Sequence, residues 1–466
     1  MQEHACDVAV VGHGAAGLAA ALAAAEAGAR VAVLERAPQP DCGGGTRWSP
    51  SNMRLKSTAE LAPGFVDDMM AAGGGRGDRA YFSRLADEAV PTLQWVERHG
   101  VAFHSPGYYL SSGPPRIQPV GGGAAIVDAL SRAAQAAGAT FHYGCRAERL
   151  SRGRGGAISG LEVHMTDAGA RRFSAGAVVL ASGGFQGNPQ MLREHFGAGG
   201  ESLVPISKGS AANAGEGIRM ALEAGASPSG DWGGMHSEPV DPRSTGPAPV
   251  VLVYPYGIVV DREGRRLFDE GRGLVHETWE AYSCAIHFSA PGRQAWAILD
   301  ARLRDIAGHE RAIRSEVPPV EAGTLAGLAA RIGVSAEGLE ATVAAYNAAC
   351  TGDAGRFDAT RADGLAAAGG LVPPKSNWAR SLTKPPYLAY PLIGAIAYTF
   401  GGVATDPEAR VLGPAGPIAG LYAAGEITGH FHGSAPNAVA VLRALVYGRI
   451  AGRAAASLVS NRPAPD

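Results

Sequence analysis

The chain has 466 residues, room for two or three domains, and carries 41 Lys+Arg against 43 Asp+Glu. That balance supplies no basic face for nucleic acid or an anionic membrane, and no uninterrupted apolar run reaches the ~20 residues of a membrane span. Cys6, Cys42, Cys145, Cys284 and Cys350 show no CxxC or metal-ligand spacing, and the first strand starts too near Met1 for a signal peptide, so a reducing cytoplasm is expected.

Val8 to Val11 is a short apolar run of the kind a buried parallel strand shows. Gly12, Gly14 and Gly17 follow in GxGxxG spacing, and Ala15 and Ala16 open an alanine-rich helix. Gly12 suits the tight turn, Gly14 lets backbone approach a pyrophosphate, and Gly17 lets helix and strand pack closely. The helix N-terminus offers N–H groups and a positive dipole end to the phosphates. Gly28 ends that helix, Val31 to Leu34 makes a second strand, and Glu35 stands at its carboxyl end, followed by Arg36. Glu35 is placed to accept both hydroxyls of an unphosphorylated ribose. A lone glycine motif is weak, but one set between two strands with an acid at this distance predicts a dinucleotide site.

Gly43, Gly44 and Gly45 form a loop in which Thr46 offers a hydroxyl on the ligand side of a parallel sheet. Residues 58–100 read as helices, and His104, Tyr108 and Tyr109 stand in a Pro- and Gly-rich loop. Gly121–Gly123 starts another helix that leads into the strand FHYGCRAERL, with Arg146 and Ala147. In flavoproteins of the Rossmann type such a strand returns beside the adenine. AGAVVLASGGF is a buried strand entering a second glycine turn, Ala181, Ser182, Gly183 and Gly184. NAGEGIRMALEAGA reads as a helix with Glu216 near its positive end.

The composition shifts near Trp232. VLVYPYGIVVD, RRLFDE and QAWAILD read as strands, and TLAGLAARIG and LEATVAAYNAAC as helices, without a return to a dinucleotide pattern. Afterwards PPYLAYPLIGAIAYTFGGVATDPEARVL reads as strands and turns. PIAGLYAAGEITGHFHG carries a strand into Gly425 and Glu426, and APNAVAVLRALVYGRIAGRAAASLV is a long helix.

The glycine fingerprint, GGGTR, VVLASGGF, GEGIRMALEAGA and LYAAGE together resemble the FAD-dependent flavoprotein family of fumarate reductase, succinate dehydrogenase and L-aspartate oxidase. GGGTRWSPSNMR, WVERHGV, GRRLFDEG and YPL are similar in layout to its tricarballylate dehydrogenase and ketosteroid dehydrogenase branch. The resemblance implies an α/β fold: a Rossmann-type FAD-binding domain, residues 1–231 and 377–466, with an α+β capping domain, 232–376, inserted. It puts the active site at their junction. It also implies Thr46 beside the hydride-accepting nitrogen, Glu426 on ribityl hydroxyls, and the N-terminus of the last helix, near Asn437, Ala438 and Val439, at the pyrimidine end of the flavin. Members with covalent flavin carry a histidine where Thr46-Arg47-Trp48 stands, so noncovalent FAD is expected.

The family's shared reaction moves a hydride between flavin and a carbon one bond from a carbonyl or carboxylate, while a side chain moves the matching proton. Fumarate reductases hold their substrate with HHTMGG and ANRLGGN motifs. The corresponding stretches here, AYTFGG and GSAPNAV, put Ala397 and Tyr398 in the histidine pair and Ala435-Pro436 near the arginine, which argues against fumarate or succinate. His432 corresponds to the histidine of the family's VHG segment. Ketosteroid dehydrogenases use a tyrosine in PFYA; PYLA here offers Tyr387, with Tyr390 as an alternative. Arg272, after RRLFDE, resembles the proton-donor arginine, and His276 and Tyr282 are alternatives on the same stretch. Arg47, Arg54 and Arg116 are the candidate carboxylate clamps by bidentate geometry, though any one of them is more readily a structural ion pair. Trp232 and His236 are candidates to line the cleft. A small-molecule substrate and an electron acceptor of unknown kind are implied. An aspartate-oxidase-like oxidase or a non-catalytic electron-transfer subunit are the alternatives.

Overall fold

The computed structural model describes residues 3–107 and 113–461; Tyr108 and Tyr109 lie outside them. The described residues form two compact units. The first takes the chain through Pro106, then Pro114–His236, then Ala397 onward, and the second takes Ser237–Ile396.

In the first unit the apolar runs become strands because both of their faces are covered. β1 (Glu3–Val11) leads to α1 (Ala15–Glu26) and β2 (Val31–Leu34). A helical turn, α2 (Gly44–Arg47), and α3 (Gly122–Ala136) precede β3 (Thr140–His142) and β4 (Cys145–Arg152). β5 (Ile158–Met165), β6 (Gly169–Leu180) and α4 (Glu216–Glu223) follow, and β7 (Arg410–Gly413), β8 (Gly416–Ala423) and α5 (Ala440–Ser460) complete the unit. The sheet order is β7-β8-β6-β1-β2-β3, with β4 and β5 continuing antiparallel from β6. Register pairs Val8 with Val31 on one side and with Ala177 on the other, and Val178 with Leu421, all parallel. Val8, Val10, Val33, Val179 and Leu180 are fully buried. Each such side chain contributes roughly 1.5–3 kcal/mol.

α1 is apolar all round because it is covered all round: every residue from Ala15 to Ala25 is buried. Against it α5 presents Gly448 and Gly452, where a Cβ would stand 2.3 Å from Ala16 O and 2.2 Å from Ala20 O. Only glycine allows that approach. The carboxyl ends of β1, β2, β6 and β8 come together, so Gly12, Glu35, Ala181 and Gly425 all leave the sheet on its ligand-binding edge.

The second unit is α+β with its own core. Strand Ala295–Asp300 pairs antiparallel with Ile258–Val260 on one side and Tyr387–Leu392 on the other, and Val320–Ala322 joins at Tyr387. Helices Leu325–Ile332 and Ala336–Ala349 cover it through Leu328, Leu339, Val343 and Tyr346. This pairing is why the segment 377–396, expected with the first domain, groups with the second unit.

Two local readings are corrected. RRLFDE is no strand: Arg266 turns back through a single bridge to Val260. Its buried guanidinium meets Glu270 at 2.5 Å, and Glu270 also accepts Val259 N at 2.8 Å, so an i,i+4 ion pair closes a turn there. VLVYPYGIVVD is strand only at Ile258–Val260, because a 3-10 turn at Tyr254–Tyr256 interrupts it at Pro255. The five cysteines are unpaired, and among the described residues no helix is long and apolar enough to cross a membrane.

Candidate functional site

The glycines after β1 divide by what surrounds them. Gly12 has φ +111°, and a Cβ there would strike Ala181 O at 2.4 Å; at Gly17 it would strike Gly12 O at 2.0 Å. Both are required by chain packing. Gly14, which caps α1, has no atom nearer than Thr46 Oγ1 at 3.6 Å from its absent Cβ, so no protein atom explains it. The open approach to Gly14 at the start of α1 fits a pyrophosphate at a helix N-terminus.

Glu35 is buried, and its carboxylate accepts His13 N at 2.9 Å and Ala37 N at 2.7 Å. Burial pushes its pKa up, and those two N–H groups draw it back. A carboxylate offers about four acceptor positions, so two backbone bonds fix its orientation and leave capacity for ribose hydroxyls. The backbone of Glu35 also ties β2 to the next segments, donating to His142 O and accepting Cys145 N. Ala147, buried on β4, follows two residues on. Arg36 and Glu216 pair with each other at 2.7 Å, and Arg36 also donates to Ala212 O at 3.0 Å.

The GGGTR stretch, read as a loop, is the helical turn α2, because Gly43 and Gly44 adopt φ of +109° and +53°. Gly45 leaves room for Ser210 Oγ, 2.8 Å from where its Cβ would be. Thr46 Oγ1 accepts Ala15 N at 3.2 Å, tying this turn to the start of α1. Arg47 is spent on Asp128 at 2.7 Å and Cys42 O at 2.7 Å, and Arg54 pairs with Asp68 at 3.1 Å. Arg116 is buried.

Beyond β6, Ala181 N donates to Val11 O at 2.8 Å, and Ser182 leads into Gly183 at φ +76°. A Cβ on Gly183 would strike the Asn213 amide at 2.4 Å, and one on Gly184 would strike Thr399 Oγ1 and Glu426 Oε1. Glu426, just after Gly425 (φ +83°), is the centre of a donor shell. Thr399 N donates at 3.0 Å, Gln186 Nε2 at 3.2 Å, Asn213 Nδ2 at 3.3 Å and Thr399 Oγ1 at 3.4 Å. Burial raises the pKa of Glu426 against these donors and against Arg443. Gln186, Asn213 and Thr399 escaped the sequence reading; the signal available was a glutamine in an otherwise apolar and glycine-rich turn, SGGFQG.

α5 is capped by Val439, preceded by Asn437 and by Ala438 at φ +61°, a conformation alanine adopts only under strain. Ala438 O accepts Arg54 N at 2.8 Å. His432 lies half-buried beside the Arg76–Asp231 pair. Burial and then Arg76 hold its pKa below the usual histidine range, with Asp231 opposing.

In the second unit Arg272 is exposed, its guanidinium 5.9 Å from the Tyr282 ring. The Tyr282 hydroxyl donates to Asp269 O, and burial, then Asp269, raises its pKa. His276 sits half-buried in the first turn of helix Val275–Ser289, four residues from Arg272. Tyr387 is elsewhere in this unit, half-buried on a strand opposite Asp300 and Ala322. Tyr390 is buried, and burial pushes its hydroxyl up to about 12. Arg272 and Tyr282 are therefore neighbours, while Tyr387 is carried by a different element. Among the described residues no group of His, Cys, Asp and Glu could hold a metal ion.

A family described as FAD binding domain matches residues 7–440. A probable fumarate reductase of Shewanella frigidimarina is 30% identical over 469 residues, covering 96% of this chain and 74% of the relative. The 4-oxocyclohexanecarboxylate 2-dehydrogenase of Sinomonas cyclohexanicum is 29% identical, covering 96% and 92%. Among solved structures, the open conformation of a flavocytochrome c3 fumarate reductase superposes with a TM-score of 0.79 at 28% identity, over 98% of this chain and 79% of that one. The chain therefore belongs to the FAD binding domain family as an FAD-dependent oxidoreductase of the reductase and dehydrogenase kind.

Proposed function

We propose that the chain holds FAD noncovalently and exchanges a hydride across a C–C bond beside a carbonyl or carboxylate, in a small organic acid or a cyclic ketone or keto acid. The observation that carries the substrate class is Tyr398. Its ring lies 4.9 Å from that of His236, 6.0 Å from Phe400 and 6.2 Å from Phe431, all within the first unit. Tyr398 and His236 are half-buried and back onto the buried Phe400 and Phe431, and this aromatic face takes an apolar ring or chain.

FAD, when bound, supplies the hydride chemistry. The chain's own groups do the rest. Gly14, Ala15 and Ala16 offer backbone to the pyrophosphate, Glu35 accepts ribose hydroxyls, and Glu426 accepts a ribityl hydroxyl in exchange for its longest donor, Thr399 Oγ1 at 3.4 Å. The N-terminus of α5 stabilises negative charge at the far end of the flavin. No histidine stands between Gly43 and Ser49 to attach the ring covalently. Arg272 moves the substrate proton, with His276 and Tyr387 next in order, and His432 hydrogen-bonds the substrate. The unpaired cysteines suit work in a reducing cytoplasm.

Anaerobic flavin bleaching by a panel of candidate substrates tests this reading. Saturated cyclic keto acids or monocarboxylates should bleach the flavin where succinate does not. Bleaching by succinate alone would overturn the substrate class, and peroxide release with amino acids under air would replace it with an oxidase. Arg272→Ala should retain FAD and slow single-turnover reduction by about 100- to 10,000-fold. Normal single turnover would remove Arg272 and bring His276 forward.

A further inference from the structure

Arg443 is a fully buried arginine on the first turn of α5, its backbone N–H bonded to Val439 O. Its Nη1 donates to Thr428 O at 3.3 Å, and its guanidinium stacks on Phe431 with 3.8 Å to the ring centre. Nε and Nη2 meet no hydrogen-bond partner among the described residues, a carboxylate included. An arginine cannot escape this by losing its proton. A full positive charge therefore stands in the interior, where an apolar side chain of similar volume would fill the space without the desolvation penalty.

The groups around it do not cancel it. His430 stacks on Tyr81 at 3.6 Å and shares a hydrogen bond with Thr405 at 2.8 Å; burial, then Arg443, holds its pKa to about 3, so it is neutral. Burial raises the Tyr81 hydroxyl against the pull of Arg443 and Thr428, so beside Arg443 it is a neutral dipole and no counter-ion. Glu426, which feels Arg443 at longer range, is the neighbouring anion, and it is already committed to four donors. Thr428 and Glu426 lie on the loop leaving β8, and Arg443 lies one turn inside the positive end of α5.

We infer that Arg443 is a fixed charge that sets the electron affinity of the flavin, acting through space and added to the α5 dipole. Reduction brings two electrons and one proton onto the ring, leaving one net negative charge, which a nearby unpaired cation favours. The inference rests on the proposed placement of the flavin at the start of α5. The competing role is mechanical: Arg443 anchors the 425–431 loop through Thr428 O.

Arg443→Gln keeps a donor for Thr428 O and loses the charge, whereas Arg443→Lys keeps the charge. Both are read on the FAD-loaded protein by midpoint potential against a reference dye and by affinity for sulfite, whose sulfur lone pair adds to the ring and leaves it anionic. Arg443→Gln should bind sulfite at least tenfold more weakly. A tenfold change in the reduction equilibrium corresponds to about 30 mV for a two-electron couple, and the midpoint should fall by at least that. Arg443→Lys should stay within threefold of the parent. If Arg443→Gln fails to hold FAD, Arg443→Met provides the neutral, apolar replacement with the same expectation. Parent-like sulfite affinity and midpoint in a neutral variant would overturn the inference and leave Arg443 as a loop anchor. Failure of the parent protein to bind FAD would instead sink the proposed function.

Discussion

Replacing Glu35 by glutamine separates the two tasks assigned to that side chain. In the folded protein one carboxylate oxygen accepts His13 N at 2.9 Å and the other accepts Ala37 N at 2.7 Å. A glutamine amide of the same shape has one oxygen, so one of these buried N–H groups then faces an NH2 donor. An unsatisfied buried donor costs about 1–3 kcal/mol, and that cost falls on the apoprotein and the holoprotein alike. A hydrogen bond from ribose to a charged acceptor is worth roughly 1.5–3 kcal/mol, and its loss appears only in FAD binding. Converted to affinity, that is about a 10- to 150-fold rise in the Kd for FAD. Thermal unfolding of apoprotein gives the first quantity, and titration of apoprotein with FAD by fluorescence quenching gives the second. A destabilised apoprotein whose FAD affinity stays within twofold of the parent would show that Glu35 braces the Gly12 turn and does not touch the ribose.

Acid or heat should release FAD into the supernatant, since no histidine of the Gly43–Ser49 turn can bond the ring; flavin that sediments with the chain would contradict this. Fumarate should be a poor acceptor of electrons from the reduced protein because Tyr398 and Ala397 replace a carboxylate-binding pair, and turnover near 10 per second would refute it. Lys375 is fully buried and its pKa is depressed from 10.5 to about 8, by burial first. Between those values the unfolded chain binds more protons than the folded one, so this group makes stability rise with pH above about 8 and leaves it flat below. The rise is on the order of 3 kcal/mol at most, and Lys375→Met should remove it from the pH profile of unfolding. Parallel profiles for parent and variant would refute the assignment.

What was legible in the sequence follows how far apart the cooperating atoms lie along the chain. The Gly12–Glu35 unit is local, with Gly17 packed on Gly12 O and Glu35 accepting His13 N, so spacing alone placed its strand, turn and helix. The shell around Glu426 joins Gln186, Asn213 and Thr399, which share no local pattern and meet only because β6, α4 and the segment before β8 converge on one edge. RRLFDE misled because the resemblance matches it to a strand pattern of the family, although its own polar and apolar residues come in pairs and do not alternate. An Arg266–Glu270 pair at helical spacing, buried with Lys375 beside it, outweighs that pattern once the pair is removed from water. The helix–helix contact of Ala16 and Ala20 with Gly448 and Gly452 was equally hidden, since nothing in either helix alone names its partner.

The two units also treat buried charge differently, and the difference matches their proposed tasks. In the second unit Arg266 and Lys375 share the Glu270 carboxylate at 2.5 and 3.6 Å, and Lys375 also donates to Pro255 O and Gly257 O. Both cations there touch an anion, and their other hydrogen bonds hold backbone together. In the first unit Glu35 and Glu426 are satisfied by N–H and hydroxyl groups instead of by cations, and Arg443 by a carbonyl and a ring face. Neutral partners orient a charge without erasing it. With FAD placed as proposed, such an arrangement keeps negative sites where hydroxyls must be accepted and a positive site where electrons arrive. Exchanging Gln186 for a cation would therefore be more damaging to flavin binding than exchanging it for an apolar residue. The cation would bind the Glu426 carboxylate outright, whereas Gln186→Leu removes one of four donors and leaves the acceptor free.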